Sequence, residues 1–211
     1  MNSNISVCTY PINDPRFGRA LNRIYLMAEE IDSTDKLYMN YTFDGLKVKE
    51  WIGVSIYEND LGICGFSSIN KRPDIWGNGV RILNRFLKAP HYRFENKKRL
   101  LSVATKKMIK QQLEVARELG YDFAFISRES KGKRNVLQHY LKYYNDVKWN
   151  YPPDRYQMFY MDHDVMIDNP ILSCWQHVAW TPLKTDTKDI NIPSITEDEF
   201  IEFKKIRDSK D

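Results

Sequence analysis

Cysteine is scarce in this 211-residue chain: Cys8, Cys64 and Cys174 are too few and too scattered for a disulfide framework or a thiolate zinc site. Glycine and proline number nine each, which excludes collagen-like and Gly/Pro low-complexity architectures. No apolar run approaches the ~20 residues that a membrane-spanning helix needs. The opening Met1-Asn2-Ser3-Asn4 lacks the basic segment and apolar stretch of a secretory signal. These absences together lead us to expect a soluble protein in the reducing cytoplasm. Only four histidines occur (His91, His139, His163, His177), dispersed and without a His-x-x-x-His pair, so no metal site is expected.

What the chain does have is ordinary globular content: 42% hydrophobic, 28% charged and 13% aromatic residues, enough for one sizeable core. The net charge of +4 is unevenly spread. Residues 81 to 110 hold ten Lys/Arg against one acid, Glu95, whereas residues 186 to 211 hold eight acids against five bases. A local basic excess in a nearly balanced protein is suited either to one anionic partner or simply to a solvated helix face.

Hydrophobic periodicity orders the elements. Ile5 to Tyr10 alternates as a short strand and stops at Pro11. Asn13 or Asp14 caps a helix with Pro15 at its first position, and Phe17, Leu21, Ile24 or Tyr25, and Ala28 form its stripe. Lys49 to Glu58 and Leu61 to Ile69 read as a hairpin around Asn59-Asp60, followed by a third strand from Val80 to Leu87. Lys97 to Leu119 is the strongest helix, with Leu101, Ala104, Met108, Val115 and Leu119 on one face and Gly120 as its stop. Tyr121 to Ser127 is a compact apolar strand, Asn135 to Tyr144 a short helix, and Val147 to Tyr151 and Tyr156 to Met161 two further strands. Residues 162 to 211, interrupted by Pro170, Pro182 and Pro193, read as an extension packing on a 1–161 domain, with Thr196-Glu197-Asp198-Glu199 opening a last helix.

Strand, helix, three strands, long helix, buried strand, short helix and two strands: this succession resembles the GNAT N-acetyltransferase superfamily over about residues 5 to 161. Two stretches carry the resemblance. Ala89-Pro90-His91-Tyr92-Arg93 before the long helix is similar to the family's Pro-x-x-Arg approach to a pyrophosphate loop. Arg117-Glu118-Leu119-Gly120-Tyr121 with its apolar strand, then Asn135 and Tyr140-Leu141-Lys142-Tyr143-Tyr144, is similar to the family's closing segment. The loop departs from the family pattern: Arg93-Phe94-Glu95-Asn96-Lys97-Lys98 has Asn96 and Lys98 where small residues, usually glycine, let backbone amides reach the phosphates. The turn after the short helix also lacks the family's Gly-Phe.

The resemblance implies an α+β fold with a mixed, mostly antiparallel central sheet flanked by helices and followed by a C-terminal arm. It implies acetyl-coenzyme A as co-substrate and an amine as acceptor, with a splayed strand pair holding the pantetheine. Backbone groups of Phe86, Leu87 and Lys88 would then bind pantetheine and polarise the thioester carbonyl. Arg93, Asn96, Lys97 and Lys98 would surround the pyrophosphate, and Asn135 would contact pantetheine or cap the short helix. Tyr140, with Tyr143 second, would protonate the departing thiolate, although a buried tyrosine is more often a packing residue. Glu50, Glu58, Glu129 and a water chain stay open as the general base. Two other readings remain: a GNAT-like scaffold that has lost donor binding and serves as an interaction module, and a nucleic-acid face built from the bases and aromatics between Arg85 and Phe94.

Overall fold

A computed structural model describes residues 5–29, 50–60, 62–72, 78–87, 97–128, 136–141, 144–152, 155–158, 175–187 and 194–208. The chain divides into two compact units: Met1–Arg72 with Val80–Tyr121, and Pro73–Gly79 with Asp122–Asp211. The fold is α+β with mostly antiparallel strands, the class expected from the sequence.

In the first unit, β1 (Ser6–Pro11), β2 (Trp51–Asn59), β3 (Gly62–Arg72) and β4 (Gly79–Leu87) lie side by side in that order. β1 and β3 both run antiparallel to β2. The β2–β3 hairpin closes at the Asn59-Asp60 turn signal, and Gly62 enters β3 at φ +106°, a conformation that favours glycine. Helix α1 (Phe17–Glu29) follows the Asp14-Pro15 start signal. Asp14 Oδ1 accepts the Arg16 amide at 2.8 Å, and the Arg16 guanidinium grips both carboxylate oxygens at 3.0 and 2.7 Å. That grip holds the Asp14 carboxyl down at about 2. The buried stripe of α1 is Ala20, Ile24 and Met27, seated on Trp51, Val54, Ile56 and Phe66, with Phe17 and Leu21 flanking it. The stripe is thus turned slightly from the expected one.

The opposite face of β2 carries helix α2 (Lys97–Glu118), within a residue of its expected span. Covered on both sides, β2 is buried continuously from Trp51 to Tyr57. Leucine and alanine stripes alone do not make the α2 contact. Gln112 Nε2 donates to Ser55 Oγ at 3.0 Å, Ser67 Oγ at 3.1 Å and the Ser67 carbonyl at 3.3 Å. Thr9 and Ser55 hydroxyls meet at 2.7 Å, and Thr9 also donates to Gln111 Oε1 at 2.9 Å. The Tyr57 hydroxyl donates to Met108 Sδ at 2.8 Å. Such a seam specifies one helix position, because any slip strands buried donors and acceptors at about 1–3 kcal/mol each. The helix ends in a Schellman arrangement: Gly120, at φ +84°, donates to the Arg117 carbonyl at 2.9 Å and Tyr121 to the Ala116 carbonyl at 3.0 Å.

In the second unit the strand order is β5 (Phe123–Arg128), β7 (Trp175–Pro182), β6 (Arg155–Met158), β8 (Ser194–Thr196). All its described pairings are antiparallel. β7, drawn from the segment expected to be an extension, therefore lies between β5 and β6 and buries Val178 and Ala179. The strand expected at Val147 to Tyr151 is not formed; Asn150 makes one isolated antiparallel bridge with Trp180 instead. Of the strand expected at Tyr156 to Met161, β6 covers Tyr156 to Met158 and starts one residue earlier, while Phe159 to Met161 lie outside the described residues. Helix α3 (Val136–Leu141) buries Leu137 and touches β5 and β7.

The last helix, α4 (Glu197–Asp208), starts on the expected signal. Thr196 and Glu199 form a capping box: the Thr196 amide donates to Glu199 Oε2 at 2.7 Å and the Glu199 amide to Thr196 Oγ1 at 3.3 Å. Those bonds hold the Glu199 carboxyl below its usual range. Phe200 then stacks on Tyr156 at 4.1 Å between centroids, and the Tyr156 and His177 rings meet tilted at 4.2 Å, tying α4 to β6 and β7.

Candidate functional site

The site residues implied by the sequence fall on two connections. Phe86 and Leu87 are the last two residues of β4, and Lys97 and Lys98 are the first two of α2. Lys88, Arg93 and Asn96, which lie between them in sequence, are outside the described residues. Within the first unit, then, the chain leaves the end of β4 and re-enters at a helix N-terminus. The second connection, between β5 and α3, contributes Tyr140 on α3, whereas Asn135 and Tyr143 lie outside the described residues.

The opening of α2 is electrostatically unusual. A helix N-terminus presents several amides without internal partners and carries roughly half a positive charge. Acidic side chains are favoured there, as Glu197, Asp198 and Glu199 illustrate at the start of α4. The first turn of α2 instead has Lys97, Lys98 and Arg99 and no acid. Three bases and no acid in the sequence of this turn reverse that preference. At the other end Arg117 complements the dipole in the ordinary way.

The proton-transfer candidates separate cleanly. Glu58, one of three carboxylates open as general base, makes an ion pair with Arg23 of α1 at the far end of β2. Glu50 is half-buried just before β2, and Glu129 is outside the described residues. His177 is buried, with Nδ1 directed at the Arg155 carbonyl at 3.2 Å; a carbonyl only accepts, so Nδ1 carries the proton. Burial lowers its pKa, with the Arg155 carbonyl and Glu197 pulling the other way. Burial likewise pushes the Cys64 thiol up to about 11, making it an inert core residue. Among the described residues no group of three or more His, Cys, Asp or Glu could hold a metal ion, and no helix is long and apolar enough to cross a membrane.

Sequence reasoning missed the polar residues inside the first unit. Gln112 falls four residues after Met108 and three before Val115, on the apolar stripe of α2, and that misplaced amide was the available signal. Ser68 and Asn70, buried on β3, gave none, because Ser and Asn on a strand are equally compatible with an exposed face.

No family model matches the chain, and no curated protein matches it. Among solved structures it is similar to a probable acetyltransferase from Staphylococcus epidermidis, at 9% identity over 85% of this chain and 99% of that one, with a TM-score of 0.47. It is also similar to a Bacillus subtilis acetyltransferase in complex with CoA, at 13% identity, 85% and 99% coverage and a TM-score of 0.44. A third is the ribosomal-protein-S18-alanine N-acetyltransferase from Escherichia coli, at 8% identity, 89% and 99% coverage and a TM-score of 0.44. At these scores the likenesses decide neither substrate nor activity, which rest on the chain's own residues.

Proposed function

We propose that the protein is an N-acyltransferase that moves an acetyl or other acyl group from a coenzyme A thioester to an amine. The observation that supports this most is the first turn of α2, which stands directly after β4 in the element order and holds three bases and no acid. The amides of that turn, with Lys97, Lys98, Arg93 and Asn96, would hold the pyrophosphate. Backbone groups of Phe86, Leu87 and Lys88 would orient the pantetheine and donate to the thioester carbonyl as it gains negative charge. Asn135 would add a pantetheine contact.

Coenzyme A supplies an activated acyl carbon. The acceptor nitrogen bonds to that carbon, the C–S bond breaks, the amine gives up one proton and the thiolate takes one. Tyr140 is the first candidate donor of the thiolate's proton, and Tyr143 the second. A cytoplasmic setting agrees with the few scattered cysteines. The test is release of free coenzyme A thiol from acetyl-CoA across a panel of amines, with the acylated product identified by mass. Tyr140→Phe should lower kcat about a hundredfold with little change in acetyl-CoA affinity. Full activity in both Tyr140→Phe and Tyr143→Phe would remove the tyrosine from the chemistry, and no transfer to any amine would leave a scaffold that binds without catalysis.

A further inference from the structure

β1 is the outermost strand of the first unit: among the described residues it pairs with β2 on one side and with no strand on the other. Its register fixes which backbone groups are left over. The Ile12 amide donates to the Ile52 carbonyl at 2.9 Å, one step beyond the Pro11–Gly53 pair. Hydrogen-bonded pairs alternate in an antiparallel ladder, so Tyr10, Cys8 and Ser6 turn their amides and carbonyls to β2. Val7 and Thr9 turn theirs to the outer edge, and Pro11, which has no amide, ends that row. An open row of this kind is usually blunted by lysine, an internal proline or a bulge. Ser6-Val7-Cys8-Thr9-Tyr10 contains no charge and no proline, and its pairing with β2 runs without a bulge. The helix beside this edge carries a charge pattern of its own. Gln111 of α2 reaches β1 at the level of Cys8, with Nε2 3.5 Å from the Val7 carbonyl and Oε1 2.9 Å from the Thr9 hydroxyl. Before Gln111 the nearest exposed charges of α2 are Lys107 and Lys110; after it they are Glu114 and Glu118, with Arg117 between them.

We propose that β1 is a dimerisation strand: two copies of this chain pair antiparallel through their β1 edges, about a two-fold axis at Cys8. Val7 of each copy then lies opposite Thr9 of the other, and each such pair exchanges the N–H···O=C bonds that β2 leaves unused. Shifting the axis along the strand sets Ile5 or Pro11 opposite one of them, and Ile5 lies outside β1 while Pro11 cannot donate. Cys8, exposed, meets Cys8 as a non-hydrogen-bonded pair, whose α-carbons stand about 4.5 Å apart. The same axis runs the two α2 helices antiparallel on one face of the joined sheet. The Lys107 side of each helix therefore approaches the Glu114 side of the other, the self-complementarity that an isologous contact needs. A six-residue strand and one helix flank make a small interface, which suits a dimer in concentration-dependent exchange with single chains.

The test is sedimentation of the full chain over a concentration series. The mass should rise from one chain toward two, with a dissociation constant in about the micromolar range. Cys8→Lys sets like charges against each other at the axis, on an exposed position, and should weaken the dimer at least about tenfold with the circular dichroism unchanged. Lys107→Glu, also exposed, should weaken it about threefold, and adding Glu114→Lys should restore it. Diamide, which takes two electrons and two protons from a pair of thiols, should join two chains by an S–S bond in Cys174→Ser and not in Cys8→Ser. A single chain at every concentration, a dimer indifferent to Cys8→Lys, a crosslink that persists in Cys8→Ser, or no recovery on exchanging the two charges would overturn the proposal.

Discussion

His177 shows how a single side chain ties stability to pH in this molecule. Its ring is buried against Tyr156 and its Nδ1 proton is held by the Arg155 carbonyl, so the neutral form fits and the charged form does not. Burial lowers its pKa below the reference 6.5, and Glu197, at the start of α4, only partly opposes that. Between the folded value and 6.5 the unfolded chain binds more protons than the folded one. Stability from this group is therefore fully present above about pH 6.5 and is lost as pH falls toward the folded value. Urea unfolding at about pH 5 and pH 7.5 should show a lower midpoint at the acidic value. His177→Gln should reduce that difference; an unchanged difference would mean the imidazole does not titrate with folding. None of this was legible from Cys174-Trp-Gln-His177, because nothing local distinguishes a buried histidine from an exposed one.

At the scale of elements, the parts governed by local rules were the legible ones. The span of α2, its stop at Gly120, the β2–β3 hairpin and the Thr196–Glu199 helix start each follow from residues a few positions apart. Gly120 offers a direct check. Its φ of +84° is strained for any residue with a side chain, yet a Cβ there meets nothing within 4 Å, so the cost of Gly120→Ala is conformational alone. It should destabilise the protein by about 1–2 kcal/mol, read as a lower urea midpoint at unchanged slope. No shift would contradict the Schellman end of α2. The Val147 to Tyr151 strand failed for the opposite reason. Its apolar content suits a strand, but its partner is β7, some thirty residues later, and it meets that strand at Asn150 alone.

At the scale of the whole molecule, long-range placement is what the sequence withheld. Pro170, Pro182 and Pro193 made residues 162 to 211 look peripheral, yet β7 from that stretch is hydrogen-bonded on both sides. The polar seam under α2 was equally hidden, since Thr9, Ser55, Ser67 and Gln112 come together only once three strands and a helix are assembled. Of the candidate site the sequence outlines only a coincidence, the basic run meeting the start of α2 at Lys97. Its chemistry is not legible there, because Asn96 and Lys98 stand where the resembled family's loop has small residues.

That replacement makes coenzyme binding the central claim to test, by calorimetric titration of the purified chain with acetyl-coenzyme A at low and moderate salt. We predict stoichiometric binding with a micromolar Kd that weakens with salt, as expected for phosphates held by lysine and arginine, and that Arg93→Ala weakens about tenfold without unfolding the chain. Absence of binding at both salt concentrations, or full affinity in Arg93→Ala with Lys97 and Lys98 also replaced, would contradict the account.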